Sequence, residues 1–363
     1  MMTGNLQKRL KGLLERLVAE GKERGLQLAV VHEGELIVDV WVGEADHGTQ
    51  KAVDGDTLFP VFSVSKGLAA TVVHRLAERG VLSYDAPISE VWPEFAAHGK
   101  GRITLRQGLN HSAGLPLMPT GLGHADLGDW DRMCAAIADL APVWPAGSRA
   151  EYHAITYGWI VGETACRATG RTFPELIQDE ITEPLGIEGM YLGIPDETEA
   201  RVARLEEDGV QSVPPDDAQP QAIPGWMQPL HGLMNRPDMR RACLPASNGI
   251  MSARAIARHY AALLPGGVDG VELLPPERVR AALSWQELDE PAGGISSWLL
   301  GYQPLGQFEM GGPITMFGHG GYGGAIGFAD LEHRLAVGMT KNLLNQHDSR
   351  SLIFRELDNV FMP

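Results

Sequence analysis

Hydrophobic and polar positions along this chain follow two rhythms. Leu6, Leu10, Leu13, Leu14, Leu17 and Val18 recur at helical spacing among Lys8, Arg9, Lys11, Glu15 and Arg16. That stripe predicts an amphipathic helix, ended by Gly25, whose apolar side packs on the protein's own core; a membrane surface is the alternative use of such a face. The period then shortens. Residues 27–31 and 35–42 are rich in β-branched side chains and are joined by His32-Glu33-Gly34, which predicts a hairpin. A second pair, residues 325–330 and 334–340, flanks Leu331-Glu332-His333, and a helix is expected over residues 351–361. Strand pairs and a helix at both ends predict that the termini share one antiparallel sheet with helices on its face.

The middle of the chain reads as a helical excursion from that sheet. Helices are expected over residues 67–79, 104–109, 130–140, 157–168 and 252–264, with stops at Gly80, Gly170 and Pro265-Gly266-Gly267. The Pro- and Asp-rich residues 213–224 read as a surface loop or lid.

Composition narrows the function classes. A chain of 363 residues can bury a substantial core, and 44 glycines with 24 prolines point to many tight turns. A net charge of −16 leaves no basic stripe for neutralising phosphates, so nucleic acid is not an expected partner. No apolar run reaches the length of a membrane span, and Met1-Met2-Thr3-Gly4-Asn5-Leu6 lacks a signal-peptide core; the expected location is the cytoplasm. Cys134, Cys166 and Cys243 lack metal-ligand spacing, and the histidines form no H-x-x-x-H or H-E-x-x-H pattern. No metal or cofactor is expected.

Three stretches carry candidate chemistry. In Phe62-Ser63-Val64-Ser65-Lys66, a helix beginning near Ser63 puts Ser63 and Lys66 on one face. A hydroxyl at the positive end of a helix with an amine one turn on suits a nucleophile and its base; the plain alternative is a solvated lysine after a cap. Tyr152, before a helix and after Pro145-Ala146-Gly147, is a proton shuttle if cations nearby lower its pKa, or else a packed aromatic. Gly318-His319-Gly320-Gly321-Tyr322-Gly323-Gly324 formally contains the dinucleotide fingerprint, yet strand-like sequence follows it where that fingerprint needs a helix. Close approach of a substrate to an edge strand, with a backbone N–H aimed at an oxyanion, uses the same glycines better.

In their order and spacing these stretches, with Asn110-His111-Ser112-Ala113-Gly114-Leu115-Pro116, resemble the serine β-lactamase-like superfamily. The likeness is to the branch of class C β-lactamases, D,D-peptidases, family VIII carboxylesterases and related acyltransferases. It implies an α+β fold: an antiparallel sheet flanked by helices plus an all-helical subdomain. The whole of residues 1–363 would be one catalytic domain, with about 1–75 and 175–363 forming the sheet part and about 76–174 the helical part. It implies Ser63 as nucleophile, Lys66 as its base and Tyr152 as partner base and later proton donor. The oxyanion hole would be the backbone N–H groups of Ser63 and Tyr322. His153, Ala154, His319, Gly320 and Gly321 would line the substrate, and Trp226, in the Pro- and Met-rich stretch 224–229, reads either as part of an acceptor pocket at the substrate or as an ordinary packed loop. Two departures bear on substrate: the family's Tyr-x-Asn stands here as Tyr152-His153-Ala154, and its Lys-Thr-Gly as His319-Gly320-Gly321. Without the asparagine amide a β-lactam's acylamino group loses an anchor, and without the lysine the carboxylate of a β-lactam or D-Ala peptide loses its clamp. The expectation is a serine esterase using a small acyl substrate. The alternatives are an acyltransferase passing the acyl group to an amine or alcohol, then a weak β-lactamase or D,D-peptidase, then a non-catalytic sensor.

Overall fold

A computed structural model describes residues 2–209, 220–289 and 294–361 of the chain. Helix α1 (Met2–Ala19) leads into strands β1 (Gly25–His32), β2 (Glu35–Asp46) and β3 (Lys51–Ala52). From the other end come β4 (Gln303–Leu305), β5 (Met316–Gly320), β6 (Ile326–Asp330) and β7 (Leu335–Lys341). The seven strands form one sheet in the order β3-β2-β1-β7-β6-β5-β4, and every pairing is antiparallel. The two ends meet at its centre, with Leu26 opposite Lys341 and His32 opposite Leu335. An antiparallel sheet built from both ends of the chain and faced by helices is the α+β arrangement that the terminal patterns predict.

Alternation along the strands sorts side chains to two faces. Leu26, Leu28 and Val30 of β1 join Leu335, Val337 and Met339 of β7 beneath Leu6, Leu10, Leu13, Leu14 and Leu17 of α1. Five buried leucines, at about 1.5–3 kcal/mol each for full burial, make this helix part of the core. No helix among the described residues is long and apolar enough to cross one.

The opposite face takes helices α2 (Ser65–Glu78) and a later helix, Ala253–Ala261. Small residues line that side of the sheet because the later helix lies close: a Cβ on Gly338 would sit 2.1 Å from the Ala253 carbonyl oxygen. α2 is buried along almost its whole length, packed against Thr156–Thr169 and the rest of the larger core.

Three boundaries differ from expectation. α1 stops at Ala19, where the Lys22 N–H bonds the Leu17 carbonyl, and Gly25 opens β1 instead. A Cβ on Gly25 would lie 2.2 Å from the Glu44 carbonyl oxygen, so its glycine serves strand approach. α2 begins at Ser65, after a separate 3-10 turn over Phe62–Val64. The glycine-rich stretch does not follow an edge strand: β5 is flanked by β4 outside it, with Gln303 opposite Gly318. Of the expected lid, residues 213–219 lie outside the described residues.

Candidate active site

Ser63 sits in the middle of the 3-10 turn, half-buried, just after Phe62, whose φ of 48° is in the left-handed region that a bulky residue rarely occupies. Such backbone costs about 1–3 kcal/mol and persists only where its surroundings hold it. Here the turn is tied at both ends to Gly249. The Val61 N–H donates to the Gly249 carbonyl (2.8 Å), and the Gly249 N–H donates to Ser65 Oγ (2.8 Å), which itself donates to the Phe62 carbonyl. Gly249 has no room for a side chain, since a Cβ would come 2.6 Å from Ser65 Oγ.

Lys66, the second residue of α2, is wholly enclosed. Its Nζ lies 3.3 Å from Ser63 Oγ and donates to the backbone carbonyls of Ala154 (2.7 Å) and Ala246 (2.9 Å). Among the described residues no carboxylate pairs with it, and burial drives its pKa well below the ordinary lysine value. On the other side of Ser63 the Tyr152 hydroxyl donates to the same Oγ at 2.8 Å. The Lys66 Nζ stands 4.7 Å from the Tyr152 ring centroid. Trp298 stacks on that ring at 4.8 Å and 15°, and His111 meets it edge-on at 5.0 Å. A lowered Tyr152 pKa was the condition set for a shuttle read from the local sequence alone. Burial raises it instead, so Tyr152 is a phenol and a donor at rest.

The glycine-rich segment abuts the serine turn. A Cβ on Gly321 would sit 2.1 Å from the Val61 carbonyl oxygen, and the Tyr322 ring meets Phe62 edge-on at 5.4 Å. Among the described residues, no acceptor is bonded to the backbone N–H of Ser63 or of Tyr322.

Of the other expected substrate-lining residues, Ala154 and His319 lie at the site, the His319 ring centroid 6.1 Å from that of Tyr152, while Trp226 does not. His153 is buried with both ring nitrogens committed: Nε2 accepts from the Leu115 N–H (2.9 Å), and Nδ1 donates to the Glu151 carbonyl (2.6 Å). It ties the Tyr152 loop to the Asn110–Leu115 stretch through both ring nitrogens. Burial lowers its pKa to about 4. Ala154 contributes its carbonyl to Lys66. His319, at the end of β5, is buried and donates from Nδ1 to the Gly320 carbonyl (2.7 Å); its Nε2 is buried without a partner. Burial first, then Lys66, lowers its pKa to about 3, so the ring is neutral. The Gly320 N–H donates to Gln303 Oε1 (3.2 Å). Trp226 meets the His124 ring at 5.5 Å and lines a cavity of about 390 Å³ to which Ser63, Lys66 and Tyr152 do not contribute.

Sequence reasoning missed the Ala246 carbonyl, Gly249, Trp298 and His111's place against Tyr152. Two are used through backbone alone. For Ala246 the one local sign is Asn248, whose side chain folds back on Leu244, Met239 and Ala242 to shape that loop. Among the described residues no cluster of His, Cys, Asp and Glu is arranged to hold a metal ion.

A profile for the family described as Beta-lactamase matches residues 10–359. The chain is 34% identical over 350 residues to "Esterase/beta-lactamase LipL" of Mycobacterium tuberculosis, covering 88% of this chain and 77% of that protein. Among solved structures, one described as a family VIII carboxylesterase superposes with a TM-score of 0.84 at 32% identity, over 97% of this chain and 96% of that one. A penicillin-binding protein homologue from Caulobacter crescentus superposes with a TM-score of 0.81 at 33% identity, over 96% and 95%.

Proposed function

The chain belongs to the beta-lactamase family and is a serine hydrolase of its β-lactamase-like superfamily, and from that premise we propose that it cleaves small carboxylic esters through an acyl-Ser63 intermediate. The observation that carries this reading is the bonding of Lys66. A neutral amine has two N–H donors and one lone pair, and both donors are taken by the Ala154 and Ala246 carbonyls. The lone pair is then left for the Ser63 hydroxyl, 3.3 Å away, while the opposite side of Ser63 Oγ accepts from Tyr152. Lys66 takes the Ser63 proton as Oγ attacks the ester carbonyl, and the oxyanion is received by the unbonded N–H groups of Ser63 and Tyr322. As the intermediate collapses, the C–O bond to the alcohol breaks and Tyr152 gives its proton to the leaving oxygen. The proton held by Lys66 restores the phenol. Water then attacks the acyl-enzyme by the same route in reverse.

The ester preference is supported by what surrounds the site. Position 154 has no side-chain amide, and His319 is a neutral ring where a lysine would clamp a carboxylate. LipL and the family VIII carboxylesterase carry esterase names, which accords with this.

A fluorophosphonate probe followed by peptide mass mapping, alongside turnover of p-nitrophenyl esters of increasing chain length, tests the reading. Label on Ser63 and rapid short-ester hydrolysis are expected, with slow turnover of a chromogenic cephalosporin. An unlabelled Ser63 in folded protein would overturn the mechanism. Faster β-lactam than ester turnover would overturn the substrate. Added alcohols or amines that divert the product to a new ester or amide would make the enzyme a transferase.

A further inference from the structure

The Tyr322 N–H belongs to a short 3-10 turn, Tyr322–Gly324, in which Gly323 has a φ of 78°. No regular ladder directs such a group. The flanking backbone is fixed by Gly321, whose N–H donates to the Ala325 carbonyl (2.7 Å), while the orientation of Tyr322 itself is held through its side chain. Its hydroxyl donates to Glu207 Oε1 at 2.9 Å, and His231 Nδ1 lies 2.7 Å from the other carboxylate oxygen, Oε2. Burial and the Glu207 carboxylate both push the phenol's pKa up, so it stays a donor. Glu207 is itself anchored: the two-residue strand Glu206–Glu207 runs parallel to Leu343–Leu344, and the Asp208 N–H donates to the Leu344 carbonyl. The Tyr322 ring thus bridges Glu207 on one side and Phe62, the strained residue before Ser63, on the other.

We propose that Glu207 is a positioning residue for catalysis, holding the Tyr322 phenol and with it the Tyr322 backbone N–H beside the Ser63 turn, while His231 fixes the carboxylate's second oxygen. This rests on the reading of that N–H as an oxyanion donor. The value of such a donor depends on its being in place before charge develops, so a misplacement far smaller than a lost contact lowers the rate. The chain Tyr322–Glu207–His231 spans residues more than a hundred apart and has no motif of its own. It gives Glu207 a use that neither solubility nor a surface ion pair explains, since both carboxylate oxygens are engaged.

The test compares full-length Tyr322→Phe, Glu207→Ala, Glu207→Gln and the Tyr322→Phe/Glu207→Ala double variant. Readouts are kcat and KM for an ester, affinity for a boronic acid that mimics the tetrahedral adduct, fluorophosphonate titration of Ser63, and Tm. Removing an oxyanion donor outright costs about 10²–10³ in kcat, so loosening one is expected to cost roughly tenfold, with boronate affinity falling in proportion and KM within about threefold. Glu207→Gln keeps an acceptor for the phenol and should recover most of the loss. The double variant should be no slower than the slower single variant, because both break one link. Single variants that keep wild-type kcat and boronate affinity while Ser63 titrates fully would overturn the proposal, as would losses that multiply in the double variant. Should Glu207→Ala fail to fold, Tyr322→Phe, which removes one oxygen atom, decides alone. Failure of Ser63 to label in the wild-type protein would instead sink the oxyanion reading beneath it.

Discussion

Lys66 and Lys341 are both buried lysines, yet their surroundings differ in one respect. Lys341 Nζ lies 2.6 Å from Glu23 Oε1 and 3.1 Å from Asn345 Oδ1, and Ser349 bonds the same Glu23 oxygen. Burial lowers its pKa, but Glu23 acts against that. Among the described residues Lys66 has two carbonyls and a hydroxyl as its hydrogen-bonding partners and no carboxylate, and burial is unopposed. A carboxylate keeps a buried ammonium charged and makes it a tie, here between the end of β7 and Glu23 in the segment before β1. Dipoles alone leave the amine form favoured, and an amine beside a hydroxyl is a base.

Four measurements can break or sharpen that contrast. Ser63→Ala should have the largest effect, a loss of roughly 10⁴-fold or more in kcat with Tm little changed, because the group being activated is gone. Near-normal turnover by this variant, measured after removing wild-type contamination, ends the assignment. Lys66→Arg comes next. The guanidinium stays protonated and offers no lone pair, so kcat should fall about 10²–10⁴-fold, in the range of a lost general base. If arginine supports the rate, Lys66 acts by charge and the contrast with Lys341 collapses.

The pH profile of kcat/KM is the third. With the Lys66 pKa lowered, the amine is present above that lowered value and is lost as pH falls through it, so the acid limb should lie well below 10.5. Burial of Tyr152 raises its pKa above 10.0, so the proton donor remains in place through the alkaline range of an ordinary tyrosine. A rate that climbs until pH 10 would show a charged lysine at rest. Smallest in its effect on chemistry is Glu23→Ala. It leaves the Lys341 ammonium buried without its partner, which should cost about 3–5 kcal/mol of stability in denaturant titration. The rate per folded molecule should stay near the wild-type value; a selective collapse of kcat would give Lys341 a part in catalysis as well.

How much of this was legible beforehand depended on whether a feature repeats along the chain. The leucine stripe of α1 and the strand pairs at 27–42 and 325–340 were readable because burial on one face imposes a period. The short strand Gln303–Leu305 was not, since three half-buried residues carry no period, and its omission made β5 look like an edge. Ser63, Lys66, Tyr152 and the 318–324 glycines stood out as short motifs, and the fold brings Ser63, Lys66 and Tyr152 within bonding distance. His153 illustrates the opposite case. Its place beside Tyr152 suggested a substrate contact; that its two ring nitrogens bond the Leu115 N–H and the Glu151 carbonyl was not readable from the sequence.

By itself the sequence determined the α+β architecture and the i, i+3 pairing of Ser63 with Lys66, because periodic burial and helix geometry are local properties of residue order. Only the tertiary structure decided the state of that lysine. Its two carbonyl partners come from positions 88 and 180 residues away, and any residue type supplies a carbonyl, so no letter in the sequence announces them. The same holds for Glu207 and His231 behind Tyr322, whose roles exist only once distant segments are packed together.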